Sequence, residues 1–125
     1  ITVLGNPYLL NIAFSNLIGN NCKYSENHSS IVQISFRDKW SIIRMADNGF
    51  GMSAKDKENL FTLFYRGDIH RNREMHRDGE DKKEIEGYGI GMTLAHKIIH
   101  LHDGNIAVLS EQGKGTIFIV EIPHI

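Results

Sequence analysis

The sequence predicts an α+β fold: a two-layer α/β sandwich with a mixed or antiparallel sheet and helices packed on one face. Three observations carry this reading. Two segments, beginning near residues 7 and 90, repeat apolar residues at helical spacing. Strand-like apolar segments come in two pairs, each joined by a short polar or glycine-rich turn. Helices and strands do not alternate regularly, as stacked βαβ units would require.

The elements follow in order. Ile1 to Leu4 reads as the last residues of a strand. Asn6-Pro7 is a helix start, with asparagine as N-cap and proline at the first helical position. Leu9, Leu10, Ala13, Phe14, Leu17 and Ile18 then keep helical spacing, and the helix should run to about Lys23. Residues 24–30 are polar turn formers. Val32, Ile34 and Phe36 alternate, as in a half-buried strand, and Asp38-Lys39 turns the chain into a strand from Trp40 to Ala46. Ser53 caps a short helix ending near Phe61, with Asp56 placed for a capping box.

Residues 67–86 are different: twelve of the twenty are charged, five basic and seven acidic, too many for a core. A mobile loop or a short solvated helix is expected there. Glycines return at Gly87, Gly89 and Gly91, and a second amphipathic helix follows through Leu101, with Gly104 suited to a glycine cap. Two closing strands, Asn105 to Ser110 and Thr116 to Ile122, flank "EQGKG", and Pro123 stops the last one.

A chain of 125 residues suits one domain, 1–125. A net charge of −1 gives no field that would draw nucleic acid or acidic lipid. No run of 18 apolar residues is present, so no membrane insertion by this domain is expected. The single cysteine, Cys22, suits a reducing, cytoplasmic setting and reads as a packing residue. The abrupt start suggests a domain taken from a longer chain, shortened on its N-terminal side.

Several residues carry candidate chemistry. Asn16, Asn20 and Lys23 fall on one side of the first helix. They are either a solvated polar face or a kit of neutral oxygens and one cation for phosphates and a divalent metal. "GYGIGM" at 87–92 opens a helix, where backbone N–H groups can meet an anion, or it is a plain hinge. Asp47 ends a strand and enters "DNGFGM" with Gly49 and Gly51. It is either a turn aspartate or an acceptor for a buried amine such as the N6 amino group of adenine. "GKGT" at 113–116 alone reads as a hairpin turn.

The order of "NLIGNNCKYS", "DNGFGM", "LFTLFYRG", "GYGIGMTLA" and "GKGTIF" resembles the catalytic and ATP-binding domain of bacterial two-component sensor histidine kinases. That domain belongs to the wider superfamily with gyrase, MutL and the heat-shock-90 chaperone, whose sandwich is called the Bergerat fold. The resemblance covers residues 1–123. It implies ATP and Mg²⁺ as ligands. Asn20 would be the principal Mg²⁺ ligand with Asn16 beside the metal, Lys23 would contact phosphate and Tyr24 would border the nucleotide. Asp47 would bind adenine, with Gly49, Gly51 and Met52 around the base. Phe61 and Phe64 match the phenylalanine box, followed by Arg66. Residues 67–86 would be the lid over ATP. Gly87, Tyr88, Gly89, Ile90, Gly91, Met92 and Leu94 would end the lid and open the next helix at the phosphates. Gly113, Gly115 and Thr116 match the last glycine element.

Two departures stand out. Asn21 occupies a position where the family usually has alanine, and Asn6 one where it often has aspartate; neither is a core ligand position. His70 and His76 in the lid lack a cysteine partner and are not read as a metal site.

The family's hydrolases are similar to one another in placing a glutamate four residues before the metal asparagine, as general base for water. Here that position is Asn16, an amide that cannot take a proton near neutral pH. The resemblance therefore implies a protein-histidine kinase, transferring the γ-phosphoryl to a histidine on an upstream dimerisation domain and then to a response regulator receiver domain. His102 is the one histidine followed by an acidic residue, but it is read as a cation at a helix C-terminus, with His96 and His100 on that helix's outer face. The acceptor is then expected outside this chain, the chain is expected to be monomeric, and the parent is expected to be a membrane-anchored sensor. Two other readings remain: a nucleotide-regulated interaction module without kinase activity, and an ATPase clamp domain.

Overall fold

A computed structural model describes residues 2–25, 27–61 and 90–125, without the side chains of Tyr24 and Ile90. The charged segment 67–86, with His70 and His76, lies outside the described residues. The described elements are α1 (Pro7–Tyr24), β1 (Ile31–Arg37), β2 (Trp40–Ala46), α2 (Ala54–Asn59), α3 (Ile90–Leu101), β3 (Asn105–Glu111) and β4 (Gly115–Pro123). All strand pairs are antiparallel, in the order β1-β2-β4-β3. The last two strands are hairpin-connected, so the sequence order of β4 and β3 is reversed in space beside β2.

Local signals set the element ends. The Asn6 side chain accepts the Leu9 N–H at 3.1 Å, and Pro7 opens α1 with its fixed φ. Ser53 accepts the Asp56 N–H at 3.0 Å and starts α2. At the end of α3 the left-handed residue is Asp103, φ 60°, and not Gly104. Asp103 N–H bonds the His100 carbonyl and Gly104 N–H the Ile99 carbonyl, both at 3.0 Å, which is a Schellman closure. Gly104 is small for another reason: a Cβ there would sit 2.6 Å from the Glu121 carbonyl oxygen on β4.

The helices cover one face of the sheet. Ala13 and Leu17 of α1 and Ala95, Ile98 and Ile99 of α3 meet Met45 of β2 and Phe118, Val120 and Ile122 of β4. These residues share one face because strand side chains alternate and antiparallel partners project to the same side. Core and site are linked here, since β2 ends and β4 starts beside Asp47.

Two expectations are corrected. Residues 2–4 are not strand; Thr2 instead accepts a bond from the Ile125 N–H at 2.8 Å. Strand β1 forms, but it is not half-buried: Val32, Ile34 and Phe36 are 44%, 62% and 54% exposed. They lie on the helix-bearing face, paired with Met45, Ile43 and Ser41. The helices sit over β2, β4 and β3, and β1 is an outer strand beyond their reach.

Candidate functional site

Asp47 is the first residue after β2, and its neighbours fix both backbone and side chain. Its N–H bonds the Thr116 carbonyl at 2.9 Å. Its Oδ1 accepts the Gly49 N–H at 2.8 Å and the Thr116 N–H at 3.2 Å. Its Oδ2 accepts the Asn21 side-chain amide at 2.7 Å. The Asn21 oxygen in turn accepts the Ser30 hydroxyl at 2.9 Å. The carboxylate is therefore held from three directions: its own turn, strand β4 and helix α1.

The turn after Asp47 is clamped by the β3–β4 hairpin. Phe50 carbonyl accepts the Gly113 N–H at 2.7 Å, and Ser110 Oγ accepts the Met52 N–H at 2.8 Å. Ser110 Oγ also donates to the Gly115 carbonyl at 2.8 Å and lies 2.9 Å from Thr116 Oγ1. Gly51 adopts φ +71°, and a Cβ there would collide with the Glu111 carbonyl oxygen. Gly115, φ +90°, is equally committed, since a Cβ would strike the Asp47 carbonyl. The space these two glycines leave empty is occupied by backbone of the adjoining segment.

Asn16 joins α1 to the start of α3. Its Nδ2 donates to the Gly91 carbonyl at 3.2 Å, and a Cβ on Gly91 would lie 3.4 Å from its amide. Asn20 lies one turn further along α1, and it and Lys23 are half-buried. Phe61, just past α2, is tied to α3 as well: Thr93 Oγ1 donates to its carbonyl at 3.1 Å, and its ring stacks on His96 with centroids 4.7 Å apart. Burial first, and the neighbouring His100 second, hold the His96 imidazole below the usual histidine pKa.

Of the expected site residues, Asp47, Gly49 and Thr116 are brought together, as are Asn16 with Gly91 and Phe61 with the first turns of α3. Met92 is buried in the core, Met52 packs against it and Leu94 is exposed. Phe64, Arg66, Gly87, Tyr88 and Gly89 lie outside the described residues, and so do the side chains of Tyr24 and Ile90. His102 is not a free cation at the end of α3. Its Nε2 accepts the Asn6 N–H at 3.0 Å, so its Nδ1 is the donor to the Ile98 carbonyl at 2.8 Å, which is a neutral imidazole's arrangement.

The sequence alone assigned no site role to Asn21, Ser30 or Ser110. Asn21 had a readable signal. It follows Ala13 and Leu17 at four-residue intervals, and all three are 0% exposed. An asparagine on the buried stripe of a helix needs a buried partner. Ser110 carried no such signal, because its role depends on how the hairpin docks.

The family model described as "Histidine kinase-, DNA gyrase B-, and HSP90-like ATPase" matches residues 5–125. The chain belongs to this family. Curated relatives include the sensor-like histidine kinase SenX3 of Mycobacterium tuberculosis, 34% identical over 125 residues, which cover 98% of this chain and 28% of that protein. The sensor protein CiaH of Streptococcus pneumoniae is 34% identical over 122 residues, covering 97% of this chain and 25% of that protein. The chain thus spans about a quarter of the length of these relatives. Among solved structures, the mycobacterial sensor histidine kinase MprB superposes with a TM-score of 0.76 at 20% identity, over 98% of this chain and 74% of that one. Full-length ShkA in complex with AMPPNP gives 0.69 at 20% identity, over 93% of this chain and 21% of that one. The fold of this chain is therefore that of the histidine-kinase ATPase domains. Among the described residues, no helix is long and apolar enough to cross a membrane, and no group of three His, Cys, Asp or Glu side chains is placed to hold a metal ion.

Proposed function

We propose that this chain binds Mg·ATP and is the catalytic domain of a sensor histidine kinase. It presents the γ-phosphoryl group to a histidine on a dimerisation domain elsewhere in the parent protein, from which a response regulator receiver domain takes it. The observation that carries the reading is the Asp47 carboxylate, a hydrogen-bond acceptor fixed at the end of a central strand beside a glycine turn. Adenine offers an amino donor at its edge, and guanine an oxygen at the equivalent place, so a fixed acceptor favours adenine.

The residues fit the remaining groups of the ligand. Asn16 spends its Nδ2 on Gly91, which leaves Oδ1 as an acceptor near the start of α3. Asn20 adds a second amide on the same side of α1, and Lys23 a cation. Neutral oxygens beside phosphates suit Mg²⁺, which keeps several waters and shares its coordination with phosphate oxygens. A bound Mg²⁺ would neutralise charge on the phosphates; the chain itself would position them. We assign Tyr24, Phe64 and Arg66 to the nucleotide border, residues 67–86 to the lid, and Gly87, Tyr88, Gly89, Ile90 and Gly91 to its hinge at α3.

Phosphoryl transfer asks mainly for positioning and charge neutralisation. Asn16 supplies no base to activate water, which favours transfer over hydrolysis. His102 is engaged at both ring nitrogens, in keeping with an acceptor histidine outside this chain. A cytoplasmic position within a membrane-anchored sensor follows from the same reading.

Calorimetric titration of Mg·ATP into the chain, beside Asp47→Ala, tests the proposal. Micromolar to sub-millimolar binding that Asp47→Ala weakens about ten- to a hundred-fold is expected. Absence of binding by a folded chain would overturn the proposal.

A further inference from the structure

We propose that Asn21 is the positioning residue for the base-reading carboxylate, selecting which acceptor of Asp47 remains open to the nucleotide. The proposal rests on Asp47 being the adenine-binding residue and goes beyond it.

A carboxylate has roughly four lone-pair sites. Oδ1 of Asp47 receives two backbone N–H groups, from Gly49 and Thr116. Oδ2 receives one donor, the Asn21 amide at 2.7 Å. One site on Oδ2 therefore remains. Without Asn21 the same oxygen would offer two sites and the carboxylate would pivot about Oδ1. With Asn21 it offers one, in a set direction.

Asn21 can do this because its own orientation is fixed. The carboxylate only accepts, so the NH₂ group must face it, and the carbonyl must face Ser30, whose hydroxyl donates at 2.9 Å. The side chain is wholly buried, out of reach of bulk solvent at either end. Ser30 lies at the mouth of β1, and the chain Ser30–Asn21–Asp47 thus runs from the sheet edge through α1 to the end of β2. An alanine at position 21, as in the usual family pattern, could make none of these bonds.

The effect should appear as selectivity for the amino group and not only as affinity. The test compares ATP with purine riboside triphosphate, which lacks the amino group, by calorimetry in the presence of Mg²⁺. The wild-type chain should prefer ATP, and Asp47→Ala should abolish that preference. Asn21→Ala should reduce the preference about three- to tenfold, the worth of orienting one hydrogen bond. In the Asp47→Ala background, adding Asn21→Ala should change nothing further, because the two act as one unit.

Ser30→Ala provides a second route should Asn21→Ala fail to fold. It leaves Asn21 in place but removes one of the two anchors of its amide, and should lower the preference about two- to threefold. If Asp47→Ala abolishes the preference while folded Asn21→Ala and Ser30→Ala retain the wild-type ratio, Asn21 has no positioning role and the adenine reading stands. A wild-type chain showing no preference would overturn both.

Discussion

Asp47 and Thr116 exchange two hydrogen bonds across the central strands: Asp47 N–H to the Thr116 carbonyl at 2.9 Å, and Thr116 N–H to Asp47 Oδ1 at 3.2 Å. Every group that meets the Asp47 carboxylate among the described residues is a donor. Asp47→Asn would therefore be a poor isostere, because its NH₂ must face a donor and repel it. ATP affinity should fall about ten- to a hundred-fold and the melting temperature should drop with it. Calorimetry and thermal melting check both; an unchanged melting temperature would mean the donors find other partners.

Ser110 holds three groups with one buried hydroxyl. Ser110→Ala removes the partner of the Met52 N–H and leaves the Gly115 carbonyl and Thr116 hydroxyl to rearrange. A cost of about 1–3 kcal/mol is expected from unsatisfied buried groups. Urea unfolding measures it. A weaker affinity for ATP should accompany it, since the same hairpin steadies Asp47.

Gly51 and Gly113 give a matched pair. Both have positive φ, +71° and +82°, but only Gly51 faces backbone; nothing lies within 4 Å of a Cβ on Gly113. Gly113→Ala should cost roughly 1–2 kcal/mol, the penalty of a left-handed alanine. Gly51→Ala should cost clearly more, because the Glu111 carbonyl must also move. Equal melting temperatures for the two variants would contradict the close approach.

His96 sets a pH dependence. Its folded-state pKa is lowered from 6.5 by burial and by His100, so protonation opposes the fold. The stability contribution is present above about pH 6.5 and is lost as pH falls through the lowered value. His96→Phe keeps a ring against Phe61 and removes the titration. Unfolding free energy followed between about pH 8 and pH 5 should therefore fall less in the variant than in the wild type. Equal slopes would show that other groups carry the acid sensitivity.

Much of the fold was legible because its signals are local. Asn6, Pro7 and Ser53 cap helices by contacts three residues away, and β2 has the bounds its apolar run suggests. Burial of β1 was not legible. Val32, Ile34 and Phe36 alternate as a half-buried strand does, but whether a helix covers them depends on strand order. The left-handed turn at Asp103 was misplaced onto Gly104, since glycine suits either position and only the approach of Glu121 explains why it sits one residue later. In the site, Asp47 and its glycines stood out in sequence, but the groups that hold the carboxylate did not. Thr116 arrives from 69 residues away, and Asn21 departs from the family pattern without itself naming the partner that its place on a buried stripe requires.

The pairing of β2 with β4 also bears on how the molecule is made. Asn21 and Ser30 are nine residues apart and can meet early, while Asp47 meets Thr116 only after a long loop closes. Half of the pocket is thus local and half waits for the sheet. A nucleotide that needs both halves recognises only the finished fold, and stabilises it by mass action without guiding its formation. Added ATP should slow unfolding and leave the refolding rate unchanged.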